Sequence, residues 1–271
     1  MAIELNLAGK SAIVTGGSAG IGLAIAKALY HEGVNVAIVA RDAQRLESAV
    51  SEILELSEQG NRVISIRADL TQAESIEKVV SQAIAEFGQI DILINNAGSA
   101  RAGSLLDLED EAFIDAWNLK LLGYIRLVKA VIPDFIGRRD GRIVNIIGGA
   151  GRTPRANFLP GGTTNAALLN FTRGIAKELA AYNVRINAIS PGFTATERAD
   201  RLAAQTASDR GITVAEAKAE TIKAIPLGRI VQPEEIAALA LFLALLQLQA
   251  AKFWWMAVKR LESRTKWFQL L

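Results

Sequence analysis

The sequence has no cysteine and one histidine, His31, in 271 residues. The first absence excludes a disulfide framework, a thiol nucleophile and any thiolate metal site. The second excludes histidine metal clusters and Ser-His-Asp catalysis. Tyrosine is scarce as well, with only Tyr30, Tyr124 and Tyr182. No basic start with a 7–15-residue apolar core precedes the first polar turn, so the N-terminus MAIELNLAGKSAIVTGG reads as that of a cytoplasmic protein. Gln247, Gln249 and Lys252 interrupt the one long apolar stretch near the C-terminus, which argues against a membrane span. Charge of one sign is also missing over most of the chain. Residues 252–271 hold five basic side chains and one acid, so the net +2 of the whole leaves a slightly acidic remainder. That remainder offers no basic face for nucleic acid.

What is present is a regular alternation. Ser11–Thr15, Val34–Val39, Val63–Ile66, Ile90–Ile94, Arg142–Ile147 and Val184–Ile189 are short β-branched runs with little polar alternation. Strands of that kind are covered on both faces, as in a parallel sheet. Amphipathic stretches lie between them, such as Ile21–Glu32, Ala43–Glu58 and Ser75–Phe87. In the last, Ile76, Val79, Val80, Ala83, Ile84 and Phe87 recur at helical spacing. Six β-then-α units predict a Rossmann-like α/β fold: one doubly wound parallel sheet in a three-layer α/β/α domain, residues 1–245. Residues 246–271 form a separate basic and aromatic tail, expected to be helical.

The first strand runs straight into Thr15-Gly16-Gly17-Ser18-Ala19-Gly20-Ile21-Gly22 and then a helix. Glycines there let backbone amides approach a pyrophosphate at the positive helix N-terminus. The context, a first strand–helix turn in a βα series, is what gives such a motif its meaning. Selectivity for the dinucleotide is set about 20 residues further on, at the end of the second strand. The chain reads Ile38-Val39-Ala40-Arg41-Asp42, with no acid closing the strand and Arg41 immediately after it. A guanidinium pairs bidentately with phosphate, so NADP(H) is favoured over NAD(H). Asp42 either pairs with Arg41 or caps the next helix.

The arrangement TG-x-x-x-G-x-G resembles the short-chain dehydrogenase/reductase family, and further matches follow in the family's order over about residues 7–245. Asp69-Leu70 looks like the adenine-contacting pair. Asn95-Asn96-Ala97-Gly98 matches the family's NNAG, implying ribose contacts from Asn95, Ala97 and Gly98. Asn118, between Trp117 and Leu119, matches the catalytic Asn. Pro191-Gly192, with Thr194, matches the loop at the nicotinamide. The resemblance implies that Thr15, Gly16, Ser18, Gly20, Ile21 and Gly22 cradle the phosphates and that Arg41 meets the 2′-phosphate. It also implies a small-molecule substrate and a homo-oligomer built through the last strand and helix.

One part of the pattern fails. In the family's register, Gly148 stands at the catalytic Ser, Gly161 at the Tyr and Asn165 at the Lys. The separation of Gly148 and Gly161 is the expected thirteen, so no deletion explains the loss. A positioned general acid is worth ~10²–10⁴ in rate. Small residues at these positions suggest a roomier pocket, and Arg152 and Arg155 are the cations expected near it. Two readings stay open: an oxidoreductase with atypical chemistry on an unknown organic substrate, or a catalytically inactive dinucleotide-binding protein. The segment Thr196–Pro226 corresponds to the family's substrate lid. After about Leu245 the chain matches nothing in the family, and three readings of the tail remain: a packing or surface helix, a less favoured span, or the product of a coding frameshift.

Overall fold

The computed structural model describes residues 7–56 and 60–245; the expectations for the tail fall outside these. Six strands form one parallel sheet: β1 (Ser11–Thr15), β2 (Asn35–Ala40), β3 (Val63–Arg67), β4 (Ile92–Asn95), β5 (Gly141–Ile146) and β6 (Val184–Ile189), in the order β3-β2-β1-β4-β5-β6. Register is continuous through the centre, with Ile13 opposite Ala37 on one side and Leu93 on the other. Each strand lies within two residues of its expected place at either end.

The helices are α1 (Gly20–His31), α2 (Ala43–Leu54), α3 (Ala73–Phe87), α4 (Asp110–Ala116), α5 (Gly123–Arg138), α6 (Leu159–Ala180), α7 (Glu197–Arg210), α8 (Val214–Lys223) and α9 (Pro233–Leu245). They explain why the strands are largely apolar on both faces. Alternate residues of a strand face opposite sides of the sheet, and each side has its own core. Ala12, Val14, Val36 and Ile38 pack under α1, α2 and α9. Ile13, Ala37, Val39 and Leu93 pack under α3, α5 and α6. Phe135 of α5 and Ile25 and Leu29 of α1 are wholly buried between helix and sheet. Among the described residues no helix is long and apolar enough to cross a membrane.

Two features place the site. The chain runs outward from β1 to β3, then returns to start β4 on the other side of β1. Crossovers on the two sides lie on opposite faces, which leaves a crevice beyond the β1 and β4 C-termini. Between α4 and α5 the helix also widens into a π-helical turn, Trp117–Leu122. Such turns occur mostly as single bulges inside α-helices, often at functional sites.

Two glycine substitutions test the packing. A Cβ on Gly141 would overlap the Phe135 ring, whereas one on Gly174, within α6, meets nothing within 4 Å. Gly141→Ala should therefore cost roughly 1–3 kcal/mol by overpacking. Gly174→Ala should gain roughly 0.5–1 kcal/mol from helix propensity. Urea midpoints of the two variants against the parent chain read both signs.

Candidate functional site

The C-terminal ends of β1 and β4 are clamped together. The Thr15 Oγ1 accepts the backbone N–H groups of Asn96, at 2.9 Å, and Ala97, at 3.1 Å. Its own proton goes to the Ile94 carbonyl at 3.3 Å. Asn96 returns the contact, its Nδ2 donating to the Thr15 and Gly16 carbonyls at 3.1 and 3.3 Å. Gly16 has φ +65° and its N–H is held by the Val39 carbonyl at 2.7 Å. A Cβ on Gly22 would overlap the Gly16 carbonyl oxygen, so the first turn of α1 lies directly on the glycine turn. No side chain caps that helix, leaving its N-terminus open to an anion.

Behind this edge, Asn95 is wholly buried and donates to Asn145 at 3.0 Å, which donates to Thr172 at 2.9 Å. It braces β4 against β5 and α6 and does not line the cavity. Asn96 is the polar neighbour that does. Asp69 closes its own turn, accepting the Thr71 N–H at 3.0 Å and hydroxyl at 2.9 Å. The first of these bonds lowers its pKa most, with Arg41 adding a smaller share. Leu70 beside it is buried. Asp42 resolves as the cap of α2, accepting the Arg45 N–H at 3.1 Å. Arg41 is exposed at the end of β2 and makes no ion pair among the described residues.

A cavity of about 770 Å³ opens beyond these strand ends. Ile21, Gly98, Pro191, Gly192 and Thr194 line it, so three separate motifs of the sequence converge on one space. The Pro191 carbonyl accepts the Gly149 N–H at 2.8 Å, tying the loop after β6 to the loop after β5. Thr196, beyond them, caps α7 and would touch a Cβ on Gly20.

Gly148 and Asn165 line the cavity as well. Gly148 has φ +113°, a conformation that L side chains rarely adopt, so a serine there would be strained. Gly161 lies inside α6, and a Cβ on it would overlap the ring of Phe158. Phe158 fills the volume next to Gly161.

Asn118 is not brought to the cavity. Its Oδ1 accepts from Arg126 at 3.0 Å, and Arg126 also holds the Thr71 carbonyl at 3.0 Å. Residues two apart on a helix do not share a face, and Lys120 is the one that lines the cavity. Its ammonium donates to the Ile147 carbonyl and, at 3.0 Å, to the Asn165 Oδ1. The Lys120 stem passes so close to Gly98 that a Cβ there would lie 2.7 Å from its Cδ. Burial, with a smaller contribution from Arg198, lowers the Lys120 pKa to about 7.

The cations expected at the site need correction on this geometry. Arg155 lines the cavity, its guanidinium 4.5 Å from the Phe193 ring centroid, but Arg152 does not. Lys120 and Arg198 do, with Arg198 donating to the Gly98 carbonyl at 3.2 Å. The sequence carries a signal for Lys120. It shares helical spacing with Ala116, Gly123, Tyr124 and Leu127, all buried, and a lysine on an apolar stripe is unusual.

Residues 10–207 match the sequence profile of the short chain dehydrogenase family, and the chain belongs to that family. The oxidoreductase UcpA of Salmonella typhimurium is 35% identical over 246 residues, 88% of this chain and 89% of that one. L-sorbose reductase from Gluconobacter frateurii, solved with NADPH and L-sorbose, superposes with a TM-score of 0.86 at 29% identity, covering 92% of this chain and 95% of its own. NAD+-bound xylitol dehydrogenase does so at 0.83 and 30%, covering 88% and 93%.

The clamp is testable without a ligand. Thr15→Val keeps the shape and removes the acceptor for two amides. It should lower stability by about 1–3 kcal/mol, while Thr15→Ser restores most of it. Equal midpoints for the two variants in urea would show that the hydroxyl bonds contribute nothing.

Proposed function

We propose that this chain is a nicotinamide-dependent oxidoreductase that prefers NADP(H) and acts on an organic carbonyl, iminium or conjugated enone, without the family's tyrosine. The observation that carries this reading is the convergence of Ile21, Gly98, Pro191-Gly192 and Thr194 on one cavity that also holds an ammonium group. The residues present fit a dinucleotide. The uncapped N-terminus of α1 suits a pyrophosphate, and the glycine turn is packed too closely for side chains. When bound, the nicotinamide supplies or accepts hydride, which is chemistry the chain itself need not provide.

The chain's residues orient and polarise. Thr15, Gly16, Ser18, Gly20, Ile21 and Gly22 would hold the phosphates. Asp69 and Leu70 would meet the adenine, and Arg41 the 2′-phosphate. Asn95, through its contact with Asn145, would steady the strand end that presents Asn96, Ala97 and Gly98 to the ribose. Pro191, Gly192 and Thr194 would frame the nicotinamide. Asn118 would act only from behind, by fixing Arg126 and the turn after β3. Kinship with proteins solved with NADPH and with NAD+ supports the dinucleotide and leaves the preference to Arg41.

A second reading, an inactive dinucleotide-binding protein, is favoured by the glycines at 148 and 161, which bring no hydroxyl to the cavity. Turnover separates the two. Consumption of NADPH with a panel of ketones, enones and cyclic imines, lost in Gly16→Asp, supports the enzyme. Saturable NADPH binding with no turnover on the panel supports the second reading.

The cofactor itself is tested by melting. NADPH at 100 times its dissociation constant stabilises the native state by about 2.7 kcal/mol. At about 2–4 °C per kcal/mol for a chain of this size, the melting temperature should rise by about 5–10 °C. Arg41→Gln should weaken NADPH about tenfold or more and leave NADH unchanged, because only the 2′-phosphate loses its charged partner. Equal loss for both dinucleotides would remove Arg41 from the 2′-phosphate.

A further inference from the structure

The catalytic register of the family is empty at two of its positions and altered at a third, yet the cavity contains a cation held against that third position. We propose that Lys120 is the proton-transferring residue of this site, donating to the substrate oxygen during reduction and accepting from it during oxidation. The proposal rests on the hydride-transfer reading given above.

Geometry is the first support. The Lys120 Nζ lies 3.0 Å from the Asn165 Oδ1, on the position where the family's lysine would stand. A Cβ on Gly148 would approach the same Asn165 side chain, 3.0 Å from its Nδ2. Lys120, Gly148 and Asn165 thus form the floor of one cavity. An ammonium has three donors. Two are committed, to the Ile147 carbonyl and to Asn165, which fixes the nitrogen in place and leaves one N–H for a substrate.

Elimination is the second. No tyrosine lines the cavity. Tyr124 is closest, its ring centroid 5.8 Å from the Lys120 Nζ, but its hydroxyl is buried and donates to the Ile146 carbonyl at 2.9 Å. Burial raises its pKa well above the usual phenol value. From α6, Thr164 and Asn165 face the cavity, and neither amide nor hydroxyl releases a proton at neutral pH. From α7 and α8 come Arg198, Asp200, Asp209 and Lys218, and from the loop before α6, Arg155. Guanidinium groups stay protonated. Asp200 is paired with Lys218 at 2.5 Å, and Asp209 accepts from Gln205 at 2.6 Å. The acids of α4, Asp110, Glu111 and Asp115, are exposed and line none of it. Lys120 is left, and its lowered pKa near 7 lets it both hold and release a proton at neutral pH.

The step balances. Hydride adds to the carbonyl carbon, and the π pair moves onto oxygen. That oxygen takes a proton from the Lys120 Nζ, so the dinucleotide is oxidised, the carbonyl becomes an alcohol and Lys120 becomes a neutral amine. Solvent reprotonates the amine before the next turnover. The chain needs no covalent bond to substrate for this.

The first test needs no substrate. Competitive acetylation across pH, with the Lys120 peptide quantified by mass spectrometry, should give a midpoint near 7, against about 10 for exposed lysines. Full-length Lys120→Met should also lose the rise in stability with pH between about 7 and 10. In that window the unfolded lysine binds the proton that the folded one has released. A labelling midpoint near 10 overturns the proposal and leaves the hydride-transfer reading standing. The second test uses the ketone, enone and imine panel. For any compound reduced, kcat/KM should hold steady below about pH 7 and fall tenfold per unit above it, with the opposite slope for alcohol oxidation. Lys120→Met and Lys120→Arg should each lose about 10²-fold or more in kcat. NADPH should still raise the melting temperature of both variants. The arginine variant keeps the charge but cannot release a proton, so its recovery to within a few-fold of the parent overturns proton transfer. If NADPH binds the parent chain and nothing on the panel is reduced, the hydride-transfer reading fails and this proposal fails with it.

Discussion

Everything at the site depends on how β1 and β4 are held at the point where the sheet changes direction. Crossovers leaving on opposite faces pull the chain apart there, and the buried backbone groups at the strand ends need hydrogen-bond partners. The Thr15 hydroxyl and the Asn96 amide supply them, together satisfying two N–H groups and three carbonyls across the gap. The glycine turn can then fold over this joint, because Gly22 has no side chain to keep α1 away from Gly16. Without that joint the turn, the cavity floor and the first turn of α1 would have no common reference.

Around this framework of contacts, chemical groups reach the cavity from several elements. Gly161 and Asn165 face it from α6, while Lys120 enters from the π-helical turn and meets Asn165. Phe158 covers Gly161, and Gly148 adopts a backbone conformation suited to glycine. The loop after β5 has a shape that accommodates them together.

The sheet was readable from the sequence because parallel strands covered on both faces are largely apolar, and the runs Ala12–Val14, Val36–Ala40 and Ile92–Ile94 carry no polar side chain. The glycine turn was readable because its neighbours in sequence are also its neighbours in space. Lys120 was harder to see. Its partners, Ile147 and Asn165, lie 27 and 45 residues away, and Asn118, two residues before it, meets Arg126 instead. Asn95 illustrates the same limit, since whether an Asn at a strand end faces ligand or core depends on Asn145 and Thr172 across the sheet. Phe158 is the clearest case. Glycine at 161 implies space, and only the fold says what moved into it.

The attachment of Lys120 to the Ile147 carbonyl has a consequence for how such a protein can diversify. Ile147 immediately follows the end of β5, so the cavity's deepest charge is moored to the sheet, the most rigid part of the molecule. The opposite wall is made by α7, α8 and the turns before α6, whose residues are mostly exposed and joined by surface ion pairs. Such pairs are weak, and changing them costs little. Mutations that reshape substrate recognition therefore fall on a different structural layer from those that would disturb the charge. Selection can act on the two almost independently, so new specificities are accessible without rebuilding the centre.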